Sequence, residues 1–152
     1  MNKKFSRWCL IIKPDGSMNP IKLTFDYETN QPFNEITGKT SFDYVTENFK
    51  IKYGCSNCKN KIISTISENH IFYSMYYNKN IQNGELNTTA TNIINEKETK
   101  CYGNCYIVCF DYYYDMHNVA IDEFMDLCNE KVLTIDMNNK YKNQNRRTCI
   151  IN

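Results

Sequence analysis

Two pairs of cysteines stand closest to chemistry in this 152-residue chain: Cys55-Ser56-Asn57-Cys58 and Cys101-Tyr102-Gly103-Asn104-Cys105. A structural zinc ion takes four soft ligands in a tetrahedron, and two short knuckles of this kind can supply them. Gly54 and Gly103 would ease the two turns. The second pair has three intervening residues instead of two, and neither pair is followed by Cys or His at finger spacing. Zinc held by Cys55, Cys58, Cys101 and Cys105 therefore stands beside a plainer reading, which carries more weight. In it Cys105 and Cys109 lie on one face of a buried strand, Cys9 and Cys128 are buried hydrophobes, and Cys55 and Cys58 lie in a loop. A third reading makes Cys55 and Cys58 a thioredoxin-like redox pair. That chemistry wants a helix N-terminus to lower the attacking thiol's pKa. Lys59 and Lys61 supply positive charge, but Ile62-Ile63-Ser64-Thr65-Ile66 is β-branched and reads as strand.

The eighth cysteine belongs to Cys149-Ile150-Ile151-Asn152, which has the form of a prenylation box behind Lys140, Lys142, Arg146 and Arg147. One lipid chain anchors weakly, so a basic patch is its physical companion. Asn is not a favoured last residue, and membrane contact is expected only if Cys149 is lipidated. Conventional catalysis finds little support. His70 and His117 are the only histidines, and there is no phosphate-cradling glycine loop, nucleophile elbow or metalloprotease box. Asp122 and Asp126 fit a solvated helix face. The chain reads as a non-enzyme without a cofactor, zinc being the alternative.

Composition narrows the partners. With 18 basic and 17 acidic side chains the net charge is +1, so no global field would hold nucleic acid, which is expected only with a zinc-binding module. Apolar stretches fall far short of the roughly 20 residues of a spanning helix. No apolar run near Met1 reaches the roughly 7 to 15 residues of a secretory h-region, so the thiols are expected in a reducing intracellular compartment. Residues are 41% hydrophobic and 14% aromatic, enough for a core rich in Tyr and Phe.

The elements that must position these residues follow from periodicity. Trp8 to Lys13, the turn Pro14-Asp15-Gly16-Ser17 and the alternating Ile21 to Asp26 predict a hairpin. Val45 to Tyr53 alternates and predicts a half-buried strand; Ile62 to Ile66 and Ile71 to Tyr77 predict two more. The polar segment Asn78 to Lys100, with a short helix around Ala90 to Ile94, reads as a loop that presents Glu85 and Leu86 to a partner. Cys105 to Phe110, apolar on both faces, predicts a central strand. Ile121, Phe124, Met125 and Cys128 predict a helix over about 119–130. Val132 to Ile135 reads as a last short strand. The expected core includes Ile11, Leu23, Phe25, Val45, Phe49, Ile51, Ile107, Val108 and Phe110. The fold class is α+β: a single domain over 1–136, an antiparallel or mixed sheet opening with a hairpin and covered by one main helix, then a basic tail over 137–152.

The order of features resembles small uncharacterised proteins of the nucleocytoplasmic large DNA viruses. The matching stretches are Cys9-Leu10-Ile11-Ile12-Lys13-Pro14-Asp15-Gly16, then Tyr102-Gly103-Asn104-Cys105-Tyr106-Ile107-Val108, then Ile121-Asp122-Glu123-Phe124. They cover 19 of the 152 residues, about an eighth of the chain, and include no catalytic signature. The resemblance implies a viral origin and a virion or viral-factory setting, without an activity. The expected function is a small interaction or structural protein whose aromatic surface binds a protein partner or a second copy. A zinc module in a transcription or nucleic-acid assembly, and a thiol redox protein, are the alternatives.

Overall fold

The computed structural model describes residues 3–27, 38–62, 71–111 and 113–129. Strands β1 (Lys3–Ile12) and β2 (Met18–Tyr27) form the expected hairpin, in register from Lys3 opposite Tyr27 to Ile12 opposite Met18. Its turn closes twice on Lys13: the Lys13 N–H donates to the Ser17 carbonyl (3.0 Å), and the Gly16 N–H to the Lys13 carbonyl (2.9 Å). Gly16 sits at φ +91°, the left-handed position of a three-residue hairpin loop, where a Cβ is costly.

The alternating run from Val45 is not a strand. Helix α1 spans Ser41–Ile51 and is started by a capping box in which the Thr40 side chain accepts from the Asp43 N–H and the Asp43 carboxylate accepts from the Thr40 N–H. Val45 and Phe49 are four residues apart, so they share a helix face as readily as a strand face, and the cap decides between the two. Tyr44, Val45, Asn48 and Phe49 turn inward, while Ile51, expected in the core, is 80% exposed.

Strands β3 (Asn57–Ile62), β4 (Ile71–Tyr77), β5 (Cys105–Asp111) and β6 (Met116–His117) complete an antiparallel sheet of order β2-β1-β5-β4-β3, with β6 also paired to β5. Strand β5 is central, as expected: it pairs with β4 along most of its length, with β1 over Cys105–Ile107, and with β6 over Cys109–Phe110. The fold is a single-domain α+β arrangement. Helix α3 (Ile121–Asn129) covers one face as expected, joined by α2 (Thr88–Ile94); Phe124 and Cys128 from the first and Ala90, Ile93 and Ile94 from the second pack with Leu10, Ile12, Met75 and Ile107. The opposite face is covered as well: Val45 and Phe49 of α1 pack with Phe25, Phe72, Tyr76, Val108 and Phe110.

The segment from Asn78 to Lys100 is more ordered than its polarity suggests. It contains a 3-10 turn at Ile81–Asn83 and helix α2, and it buries Asn87, Thr89, Ala90, Ile93 and Ile94. Three apolar side chains on one short helical face are enough to dock it, once Asn87 caps the helix. Glu85 and Leu86 do lie at the surface, although Leu86 is tied by a bridge to Tyr102.

Edge strand β2 is guarded from α1 and its exit. The Tyr53 hydroxyl donates to the Thr24 carbonyl (2.6 Å) and accepts from the Thr24 N–H (3.1 Å), while the Asn48 amide exchanges both its hydrogen bonds with the Asp26 backbone (3.0 and 3.1 Å). Pro20 brings no N–H at all. Cys149, the tail over 137–152, the strand expected at Val132 to Ile135 and residues 63–66 of the strand expected at Ile62 to Ile66 lie outside the described residues.

Candidate functional site: a thiol pair and a tyrosine hairpin

The first cluster forms where the α2 segment meets the start of β5. Asn87, fully buried, is its hub. Its side-chain amide donates to the Ile12 and Gly103 carbonyls (2.9 and 2.8 Å) and approaches the Cys105 sulfur (3.7 Å); its Oδ1 accepts from the Ala90 N–H (3.0 Å). Its backbone N–H donates to the Cys101 carbonyl (2.8 Å). The Cys101 N–H in turn donates to the Thr91 hydroxyl (2.9 Å). Gly103 makes the turn between the cysteines at φ +73°, so close to Asn83 that a Cβ there would meet the Asn83 carbonyl oxygen at 2.5 Å. This is a position only glycine fits.

Cys101 and Cys105 are both fully buried, and the Cys105 thiol donates to the Gly103 carbonyl (3.8 Å). The Cys105 thiol lowers the Cys101 pKa below the ordinary thiol value, against burial, with help from the Thr91 hydroxyl. That hydroxyl shares its one proton with the Asn87 carbonyl (2.8 Å). The Cys105 thiol is pushed far up, by Cys101 and then by burial. Cys55 lies nearby, its sulfur directed at the Asn104 carbonyl (3.8 Å), and burial followed by the neighbouring Cys101 pushes it up to about 12.

Of the four residues read as zinc ligands, the structure thus places Cys101 and Cys105 on either side of the Gly103 turn, with Cys55 against the Asn104 carbonyl. Cys58 packs with Cys55 and Tyr76 in the layer on the α1 face, while Cys101 and Cys105 pack in the layer on the α2 and α3 face, so the sheet divides the set two and two. Burial pushes the Cys58 thiol up to about 11 against hydrogen bonds with the Tyr76 and Ser74 side chains. Cys55 and Cys58 also differ from a redox pair at a helix N-terminus, since β3 and not a helix follows Cys55. Among the described residues, no three His, Cys, Asp or Glu side chains are arranged to hold a metal ion. Cys9, Cys109 and Cys128 are core residues, and the seven described cysteines are free thiols.

The second cluster is the hairpin joining β5 to β6. It repeats the turn of the first hairpin: the Asp111 N–H donates to the Asp115 carbonyl (3.0 Å) and the Tyr114 N–H to the Asp111 carbonyl (2.9 Å). Here the left-handed position, at φ +65°, holds Tyr114 where the first hairpin has Gly16. Asp111 fixes the loop from within, its Oδ1 accepting from the Tyr113 and Asp115 N–H groups (2.8 and 3.1 Å) and its Oδ2 meeting His117 Nε2 at 2.8 Å. Burial raises the Asp111 pKa, but the His117 contact and the two N–H donors outweigh it and leave the carboxyl below its ordinary value. The Tyr114 ring lies against Phe42 and Phe72, with centroids 5.8 and 5.7 Å away. Strand β1 braces the hairpin through Arg7 Nε to the Met116 carbonyl (3.1 Å) and Val119 N–H to the Trp8 carbonyl (2.9 Å). Tyr113 projects from the tip, 85% exposed.

A cavity of about 470 Å³ beside this hairpin is lined by Tyr73, Cys109, His117, Asn118 and Glu123. Cys109 and His117 are cross-strand partners there, and the His117–Asp111 contact completes a Cys, His, Asp series. Burial, then Glu123 and Asp111, pushes the Cys109 thiol up to about 12, so it is a poor nucleophile at neutral pH.

The sequence reading singled out Cys101 and Cys105 by their spacing but missed Asn87 and the Asp111–His117 contact. Asn87-Thr88-Thr89-Ala90 carries a helix-cap signal that could have marked the hub. The spacing of Asp111 and His117 acquires meaning only once the chain reverses between them. No protein-family model, no curated protein and no solved structure matches this chain.

Proposed function

We propose that this protein is a non-enzymatic interaction module that engages a protein partner through the tyrosine tip of the β5–β6 hairpin. The observation that carries this reading is Tyr113, 85% exposed on a turn whose backbone Asp111 has already fixed. Tyrosine offers a large amphipathic contact with only two rotatable side-chain angles, so an ordered backbone beneath it leaves little entropy to lose on binding. The left-handed Tyr114 supports the same reading. A bulky residue held at a glycine position is strained, and such strain persists where surrounding packing over-determines it and where a site is built in advance. The contacts with Phe42 and Phe72 supply that packing.

The test is site-specific crosslinking in extracts of the cells that naturally make the protein. A photoreactive phenylalanine analogue at position 113 should give one discrete adduct, absent when the same group replaces the exposed Lys50 and absent when unlabelled wild-type protein competes. An adduct at twice the chain mass identifies the partner as a second copy. Equal, diffuse labelling from both positions would defeat the reading.

A further inference from the structure

We propose that the cavity between β4, β5, β6 and the start of α3 binds a small organic cation of the arylalkylamine class, held by Glu123 and Tyr73. Tyr73 and Cys109 are its buried floor, Ile71 adds an apolar wall, and His117, Asn118 and Glu123 form an exposed rim. Its volume of about 470 Å³ lies within the range of roughly 300 to 1,000 Å³ that small-molecule sites occupy. The rim is ordered in advance. Asn118 is anchored by accepting the Trp8 N–H (2.8 Å), and His117 by Asp111 (2.8 Å).

The observation that points to a ligand is the Tyr73 hydroxyl. Tyr73 is only 3% exposed and its ring meets Phe124 edge to face (5.2 Å), yet among the described residues its hydroxyl has no hydrogen-bond partner. Buried phenols ordinarily have one, so a phenol without one beside a cavity of this size is a group held for a bound molecule.

The class of ligand follows from charge. Among the described residues Glu123 has no hydrogen bond or ion pair, and no Lys or Arg lines the cavity. The Glu123 charge is felt at the floor: burial, then Cys109 and Glu123, raise the Tyr73 pKa, and burial, then Glu123, raise that of Cys109. Asp122 and Glu123 in the first turn of α3 outweigh the partial positive charge of the helix start. A carboxylate at the mouth and a phenol within select an ammonium group, which can donate to both. The uncharged floor selects the rest of the molecule: one charge beside aromatic and apolar side chains suits an aryl group on a short alkyl chain better than a polyamine. A metal ion fits poorly, since among the described residues no three His, Cys, Asp or Glu side chains are arranged to hold one.

The probe is 2-phenylethylamine, titrated into full-length isotope-labelled protein and followed by the backbone amide resonances. Saturable shifts are expected at Ile71, Cys109, His117 and Ala120, with half-saturation below about 1 mM. The neutral N-acetyl derivative should bind at least about tenfold more weakly, and Glu123→Gln should weaken binding of the amine by a similar factor. Tyr73→Phe keeps the ring and removes the unpartnered hydroxyl, so its urea midpoint should be unchanged or raised while affinity for the amine falls about fivefold. A lowered midpoint would show that the hydroxyl already has a structural partner and would overturn the proposal. So would the absence of saturable shifts, equal affinity for the N-acetyl derivative, or shifts confined to another part of the fold. The wild-type titration with the two compounds decides this if a variant fails to fold.

Discussion

Asn87 and Asp111 do at the scale of single residues what whole elements do elsewhere in the chain. Asn87 satisfies two carbonyls and one N–H in a place water does not reach. Asn87→Ala leaves these without partners, and at roughly 1 to 3 kcal/mol for each group left unsatisfied the variant should lose on the order of 3 kcal/mol or more in urea unfolding. Asp111 makes a pH-dependent contribution whose sign follows from its lowered folded pKa. Its stabilisation is present above the ordinary carboxylate value of 3.8 and is lost as pH falls through the lower folded value. Asp115 acts in the opposite sense, since burial and the Asp111 charge raise its pKa. The clean measurement is therefore a difference: from pH 6 down to about pH 2, the stability gap between wild type and Asp111→Asn should narrow. A gap independent of pH would show that the loop is held without the carboxylate.

At the scale of elements, legibility depended on whether a pattern had one meaning or two. The first hairpin and β5 were readable because turn chemistry, or an apolar run of strand length, excluded the alternatives. Helix α1 was not, since Val45 and Phe49 suit either period and the Thr40–Asp43 box lies upstream of the run that drew attention. In segment 78–100 the short helix read around Ala90 to Ile94 is present as Thr88–Ile94, but its docking was not legible, because composition measures average polarity while docking needs only Ala90, Ile93 and Ile94 on one side. The thiol pair was visible in its spacing, but its separation from Cys58 depends on which face of the sheet each residue takes. The misread helix also explains how β2 survives as an edge. Tyr53→Phe keeps the ring against Phe25 and Phe49 but frees the Thr24 N–H for another chain, while the Thr24 carbonyl keeps Lys52 Nζ as a donor (3.0 Å). We expect little change in monomer stability, about 1 kcal/mol, and a clear rise in self-association by light scattering at high concentration.

The whole molecule rests on β5, whose faces contribute to both hydrophobic layers. Ile107, nearly inaccessible and flanked by β1 and β4, should cost on the order of 2 to 5 kcal/mol when truncated to Ala. Near-wild-type stability would mean that the two layers do not depend on the central strand. The same topology sets an order of events during synthesis. Leu10 pairs with Ile107, so β1 leaves the ribosome long before its inner neighbour exists. At roughly 5 to 20 residues per second, the hairpin waits about 5 to 20 s with one side unmatched. The Tyr53 and Asn48 guards protect the outer side of that hairpin and are made midway through the interval. Among the described residues the inner side has no comparable guard and depends on whatever shields a nascent chain, so ribosome-bound chains stalled near residue 100 should recruit holding chaperones more strongly than chains stalled after β5 has emerged.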